Sequence, residues 1–401
     1  MEMKKYKLGD IADINKQTLS KKDSMDVIEY LDTGSLTENI FGPKQVLSRK
    51  EAPSRAQRRV FDKTILYSTV RPRLKHYGFL ESPKENTIVS TGFATIDVKD
   101  EFKNVIDARY LYLLLIQDKV TEYLGTIADT AVSAYPSLNP SDIQSLEFEF
   151  PDMPIQKKVA SFLCNIDKRI ENLRAQNRVL EQTAKTIYDY TFLQCAGHQT
   201  TYNKTLNRNI PADWEIDNLY RIADFTNGLA CQKYRPITEK EKLPVIKIRE
   251  MHDGVTADTE FVKSDIPEKV IVNPGDLLFS WSASLEVMMW NGVKGGLNQH
   301  IFKVTPKEYF SLYYVYFQLK DYIGNFKRMA EARKTTMGHI TTDHLNQSRI
   351  AIPDEETMKR FSSQITPLFK KQLVNSQQIE ALTTQRNTLL PLLMNGQIVV
   401  G

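Results

Sequence analysis

Apolar or small residues recur at steps of three or four along two long stretches of the chain. After Pro151 they fall at Ile155, Val159, Phe162, Ile166, Ile170, Leu173, Asn177, Leu180, Ala184, Ile187 and Thr191. After Pro353 they fall at Phe361, Ile365, Leu368, Gln372, Asn375, Ile379, Leu382, Arg386, Leu389 and Leu393. That spacing is the stripe of an amphipathic helix. A proline opens each stretch, and Gly197 and Gly396 follow, as helix-start and helix-stop residues do. A helix of about 40 residues is about 60 Å long. Such a helix needs a long partner, and the chain supplies two. The residues expected to pack between them are Val159, Ile166, Ile170, Leu173, Leu180 and Ile187 with Ile365, Leu368, Ile379, Leu382 and Leu389. Asn177, Gln372, Asn375 and Arg386 interrupt the stripes, which costs stability and can fix register.

The remaining sequence has a different texture. Thr64–Val70, Thr87–Val98, Val245–Arg249, Asp276–Trp281 and Gln299–Val304 are short runs rich in β-branched or aromatic residues and bounded by turn formers. Arg109–Leu124 and Lys307–Ala332 read as helical. The pattern also repeats. Leu8-Gly-Asp-Ile-Ala-Asp-Ile14 returns as Leu219-Tyr-Arg-Ile-Ala-Asp-Phe225, and Ile65-Leu-Tyr-Ser68 as Leu277-Leu-Phe-Ser280. Tyr110-Leu-Tyr-Leu-Leu114 resembles Tyr313-Tyr-Val-Tyr-Phe317, and Phe148-Glu-Phe-Pro151 returns as Ile350-Ala-Ile-Pro353. The order never changes, and a unit of roughly 200 residues is too long for a solenoid repeat. The expected fold class is α+β: two globular domains, 1–150 and 201–352, each followed by a long helix, 151–200 and 353–401. Like units tend to pair about a two-fold axis. That makes the helices an antiparallel coiled-coil spacer with the domains at its opposite ends, a pseudo-two-fold internal repeat.

Composition excludes several classes. Over 401 residues, 41% are hydrophobic and 25% charged, which is ordinary for a globular protein and not for a disordered one. Cys164, Cys195 and Cys231 have neither metal-ligand nor CxxC spacing, so disulfides and structural zinc are not expected and a reducing compartment fits. The N-terminus lacks the apolar core of a signal peptide. Tyr110–Ile116 and Leu312–Leu319 are too short to span a bilayer. A cytoplasmic location without membrane contact is the expectation.

The charge total, 53 basic residues against 49 acidic, does not advertise a nucleic-acid partner. Its distribution changes that picture. Between Lys44 and Lys75 stand Lys44, Arg49, Lys50, Arg55, Arg58, Arg59, Lys63, Arg71, Arg73 and Lys75, opposed only by Glu51 and Asp62. His76, Tyr67 and Tyr77 are interleaved. Arginine reads guanine bidentately and both cations bind phosphate, so these cations (Lys63 apart) and Tyr77 are candidate DNA contacts. The competing reading is a solvated loop whose charges acidic neighbours offset in space. The second domain has shorter clusters, Lys233-Tyr234-Arg235, Lys247-Ile248-Arg249, Lys327-Arg328 and Arg333-Lys334, which are common on any surface. Asn298 and Gln299 carry amides suited to adenine, although such residues also form turns. Trp281 and Trp290 flank an expected hairpin and read as core or rim rather than base-stacking platforms.

Catalytic patterns are missing. The chain has no P-loop, no Gly-x-Gly-x-x-Gly, no His-Glu-x-x-His and no Gly-x-Ser-x-Gly. His339 and His344 are five apart, unsuited to a helical metal pair, so no metal is expected. Pro151-Asp152 and Pro353-Asp354 lack a nearby Glu/Asp-x-Lys and sit where an acid favours a helix start. Asn139-Pro140 and Asn273-Pro274 do not continue into an adenine-methyltransferase pocket.

The order and duplication of these segments resemble the specificity subunit of type I restriction-modification systems over the entire chain. Carrying the resemblance are Lys7–Asp13 and Asn218–Asp224, Pro154-Ile-Gln-Lys-Lys-Val-Ala-Ser-Phe-Leu163 with Ile166-Asp-Lys-Arg-Ile170, Asn273-Pro-Gly-Asp-Leu-Leu-Phe-Ser280 and Leu297-Asn-Gln-His-Ile-Phe302. Glu356-Thr-Met-Lys359 departs from the Pro154-Ile-Gln-Lys157 pattern. The resemblance implies a non-catalytic subunit in which each target recognition domain reads half of a split, asymmetric DNA sequence. It also implies two methyltransferase subunits and restriction subunits as partners, with S-adenosylmethionine, ATP and magnesium on those partners and no cofactor on this chain. The alternative is a non-enzymatic coiled-coil scaffold that binds only proteins.

Overall fold

A computed structural model describes residues 3–20, 23, 25–130, 136–236, 241–282, 284–332 and 342–400. The chain divides into two compact units, Met1–Arg169 with Leu382–Gly401, and Ile170–Ala381. Each unit therefore holds one α+β domain together with a segment of both long helices.

In the first unit, Lys4–Lys7 pairs antiparallel with Glu147–Phe150, tying the start of the domain to its end. One four-stranded sheet runs Gln45–Ser48, Val27–Leu31, Thr87–Ser90, Ala56–Arg59, with Val27–Leu31 and Thr87–Ser90 parallel. A second, wholly antiparallel sheet runs Ala12–Ile14, Phe93–Val98, Ile65–Ser68, Tyr77–Phe79. The chain crosses between the sheets at Thr91-Gly92. Alternating and fully apolar strands bury Ile65, Tyr67, Ala94 and Ile96 against Leu111, Leu114 and Leu124. The expected helical segment Arg109–Leu124 is two helices, Ala108–Leu115 and Asp118–Asp129. The Asp107 side chain caps the first, accepting from Tyr110 N at 2.9 Å. Gln117 turns extended (φ −64°, ψ 141°) and restarts the second.

The second unit repeats this plan of two four-stranded sheets and a terminal pair; the hairpin Thr200–Asn203 with Arg208–Pro211 is its own, as the short pair Leu36–Thr37 with Ile40–Phe41 is the first unit's. Glu215–Asp217 pairs with Ile350–Ile352. One sheet runs Phe261–Lys263, Lys242–Ile246, Gly295–Leu297, Ile271–Val272, again with its middle pair parallel. The other runs Ala223–Asn227, Ile301–Pro306, Leu277–Ser280, Glu286–Met289. The crossing turn is Asn298–His300. The helix expected over Lys307–Ala332 begins later, at Leu312. Glu308 takes a left-handed turn (φ 48°), so the chain cannot become helical until it has passed that bend.

The long helices are Met153–Tyr188 and Glu355–Met394. In the second unit Asn177 Nδ2 donates to Ser376 Oγ at 3.2 Å, and Gln372 Nε2 donates to Glu181 Oε2 at 3.3 Å. Numbers rise on one helix as they fall on the other, so the pair is antiparallel. In the first unit Val159, Ala160 and Leu163 share a core with Leu390, Leu393 and Met394, and Arg386 Nε meets Asp167 at 3.2 Å. Gly197 (φ 86°) and Gly396 (φ 68°) adopt the left-handed backbone of helix-stop residues.

The two helices leave their domains differently. Gln156 is fully buried. Its Oε1 accepts from Asp107 N at 2.9 Å, and its Nε2 donates to the carbonyls of Val105 and Pro151, both at 2.7 Å. Met358 is buried at the matching position of the second helix. There Asp354 accepts from Thr357 N and Oγ1 at 2.8 Å. Burial works against the Asp354 carboxylate, yet these bonds hold it below the usual carboxylate range.

Candidate nucleic-acid interface

In the first unit, Gln45–Ser48 and Ala56–Arg59 are the outer strands of their sheet, so the basic run occupies both edges of that sheet and the turns beyond. Its charges are not equivalent. Lys44 Nζ lies 3.3 Å from Glu29, and Arg59 lies 3.3 Å from Asp23. Arg73 bridges Glu122 at 2.8 Å and Asp129 at 2.5 Å. Lys75 meets Asp118 at 2.9 Å and Glu38 at 3.5 Å. Arg49 donates to the carbonyls of Ser20 and Asp23. All five have partners within the domain, and for four of the five cations those partners are acidic.

Arg58 is intermediate. One nitrogen donates to the Thr18 hydroxyl at 3.3 Å, while its buried Nε has no partner. Burial pulls its guanidinium below the ordinary value. Tyr77 is a core residue, its ring stacked on Tyr67 with centroids 5.9 Å apart. Arg71 is exposed at the mouth of a tight turn, with a left-handed φ of 47°. Lys50 and Arg55 are exposed and carry no ion pair among the described residues. The Arg55 carbonyl accepts from Thr91 N at 2.8 Å, which sets this cation beside the crossing turn.

In the second unit, Lys233 and Arg235 are exposed beside the turn Cys231–Lys233, with no ion pair among the described residues. Lys247 meets Glu260 at 2.6 Å. Arg249 meets Glu250 at 2.9 Å and the Asp258 carbonyl at 2.9 Å. Glu250 is buried, so Arg249 neutralises an internal carboxylate. Lys327 and Arg328 are exposed on helix Leu312–Ala332, and Arg328 donates to Asn325. Arg333, Lys334 and His339 lie outside the described residues. His344 is buried.

The turn holding Asn298 and Gln299 is pinned from below. Leu229 N donates to Leu297 O at 2.8 Å, and Gln299 N donates to Leu229 O at 2.8 Å. Gly228 permits the approach: a Cβ there would stand 2.2 Å from the Asn298 carbonyl oxygen. Asn298 Oδ1 accepts from His300 N at 3.3 Å, which is the work of a turn former. Trp281 is half-buried, with Nε1 donating to Asn227 at 3.1 Å and its ring 5.6 Å from His300. Trp290 is buried, its Nε1 on the Val293 carbonyl.

Along the helices, Val159, Ile166, Ile170, Leu173 and Ile365 are buried. Leu180, Ile187, Leu368, Ile379, Leu382 and Leu389 are half-buried. Among the described residues, no three His, Cys, Asp or Glu side chains are grouped to hold a metal. No helix there is long and apolar enough to cross a membrane. The anchoring role of Gln156 escaped the sequence reading. A polar residue one position after Ile155, on the apolar side of a helix start, was its only signal.

Duplicated α+β domains alternate along the chain with long helices that pair antiparallel. The family described as the type I restriction modification DNA specificity domain matches residues 1–182 and again residues 211–384. The chain belongs to that family, the specificity subunits of type I restriction-modification systems. It is 23% identical over 465 residues to the HindI specificity subunit of Haemophilus influenzae, covering 99% of this chain and 100% of the relative. It is 27% identical over 358 residues to the MjaIX specificity subunit of Methanocaldococcus jannaschii, covering 85% and 79%. Its fold is similar to the crystal structure of the type I restriction-modification S subunit from M. genitalium, with a TM-score of 0.59, 15% identity and coverage of 98% and 96%.

Proposed function

We propose that this chain is the non-catalytic DNA-reading subunit of a type I restriction-modification complex, each α+β domain reading one half of a bipartite, asymmetric target. The observation that carries this reading is the duplication of both four-stranded sheets, in the same strand order, with side chains that differ at the exposed edges. A duplex backbone has two-fold symmetry, and half-sites about one turn apart are separated by about 34–36 Å. Antiparallel helices of this length suit that spacing. The helices dock two methyltransferase subunits and the restriction subunits. S-adenosylmethionine, ATP and magnesium belong to those partners. This reading assigns phosphate or base contact to the exposed cations Lys50, Arg55, Arg71, Lys233, Arg235 and Lys327, and a base contact to the Gln299 amide.

Mapping methylated bases in DNA modified by the reconstituted complex tests this. A split motif is expected, with only one half altered when residues 1–150 are exchanged for another reader. Methylation without sequence preference sinks the proposal. A protein-only scaffold is the second reading, favoured by the local neutralisation of Lys44, Arg59, Arg73 and Lys75. A gel shift at low salt with the partners present separates the two.

A further inference from the structure

A cavity of about 450 Å³ in the second unit gathers three arginines that are far apart in the chain: Arg208, Arg328 and Arg349. Arg208 lies on strand Arg208–Pro211, Arg328 on helix Leu312–Ala332, and Arg349 just ahead of strand Ile350–Ile352. Backbone carbonyls fix two of the guanidinium groups. Arg208 donates one nitrogen to Phe192 O at 3.0 Å. Arg349 donates one to Asn346 O at 3.0 Å and Ser348 O at 2.7 Å. Arg328 donates to the Asn325 side chain. A guanidinium has five N–H donors, so each keeps others for a ligand. Asp321 is the one acid in the lining, and Lys185 stands 3.6 Å from it. The lining therefore has an excess of positive charge.

Gln318 adds a neutral donor to the same lining. It lines the same cavity, is 6% exposed, and its amide has no hydrogen-bond partner among the described residues. Its amide opens on the cavity rather than into the core, so its N–H donors can meet a ligand oxygen there. Fixed guanidinium forks with a neutral amide donor match the geometry of an oxyanion.

We propose that this cavity holds a phosphate group, with Arg208, Arg328 and Arg349 as its charge partners and Gln318 as its neutral donor. Under the DNA-reading role proposed above, the source is a backbone phosphate of the duplex. A free nucleotide phosphate is the other source of the same chemistry.

The test titrates inorganic phosphate into the full chain at constant ionic strength, reading thermal unfolding and intrinsic fluorescence. Phosphate should raise Tm saturably where chloride does not. Arg328→Gln, an exposed substitution, should weaken that binding at least tenfold while leaving Tm in chloride unchanged. Gln318→Leu should weaken it as well. Displacement of phosphate by a short random duplex would assign the phosphodiester source, and displacement by ATP but not duplex would assign the nucleotide source; either supports the site. Equal effects of phosphate and chloride, or parental affinity in Arg328→Gln, would overturn it. So would capture of a glutamate-rich peptide without capture of phosphate. Because no target DNA is needed, failure here is distinguishable from failure of the DNA-reading role, which the methylation map reports.

Discussion

The two units share a strand order and differ in what they do with it. Val27–Leu31 lies parallel to Thr87–Ser90 in one, and Lys242–Ile246 lies parallel to Gly295–Leu297 in the other. At the crossing turn the first unit has Thr91-Gly92 held by the Arg55 carbonyl, where the second has Asn298–His300 held by Leu229. At the helix start the first has the hydrogen-bonded Gln156 and the second the apolar Met358. Backbone pairing depends little on side-chain identity provided the alternation survives, so topology persists through divergence. Edge residues carry no such constraint and are free to change chemistry.

The largest expected effect comes from the cores, because each unit has its own. Phe361 is 1% exposed and packs within 4.8 Å, centroid to centroid, of Phe192. Phe361→Ala should cost about 3–5 kcal/mol. Hydrogen exchange should then speed over Leu312–Ala332 and leave Ile65–Val98 protected. Equal loss of protection in both regions would break the comparison by making the units one cooperative block.

Next in size is Gly228→Ala, which places a Cβ against the Asn298 and Leu297 carbonyls. A backbone shift is unavoidable, and a loss of about 3 kcal/mol is expected with altered DNA affinity. At the matching place in the first unit, Gln17 O accepts from Arg59 N at 3.1 Å instead, so Gln17→Ala should be nearly silent in stability. Equal losses from the two substitutions would mean that the turns are supported alike.

A smaller effect distinguishes the units by pH. Asp97 is buried in the first unit, one oxygen accepting from Thr64 Oγ1 and the other without a partner. Burial raises its carboxyl above the ordinary value. The folded state then holds its proton where the unfolded state has released it, so stability falls as pH rises from the usual carboxylate range through the raised value. The second unit has Thr305 on the matching strand. Asp97→Asn should raise the neutral-pH stability of the first unit and flatten that slope in denaturant titrations. An unchanged slope would remove Asp97 as its cause.

Periodicity made the helices legible: a stripe sustained over roughly ten turns has few other meanings, and the repeated segments announced the duplicated strand order. Local rules did not reach the interruptions. Gln117 breaks the helix where the apolar run Tyr110–Ile116 ends, and the stripe resumes in the next helix at Val120 and Leu124 without showing the break. Charge was legible as a run and not as a surface. Glu29, Asp23, Glu122 and Asp129 stand 15, 36, 49 and 56 residues from the cations they meet, and no local window joins them. Arg208 and Arg349 approach one cavity from opposite ends of a domain, which spacing along the chain cannot reveal.

That distinction between a run and a surface yields the smallest effect and the finest test of the first domain. Arg55 is exposed with no ion pair among the described residues, whereas Arg73 is shared between Glu122 and Asp129. A cation that neutralises one phosphate releases counterions, and its loss lowers the salt slope of binding by about one. Arg55→Ala should do this in the reconstituted complex and leave stability unchanged. Arg73→Ala should leave the salt slope alone and cost little stability, because exposed pairs contribute little. Identical slope changes would mean that the carboxylates release Arg73 when DNA arrives. The basic segment would then act as a single field, and the ion pairs seen without DNA would be a resting arrangement.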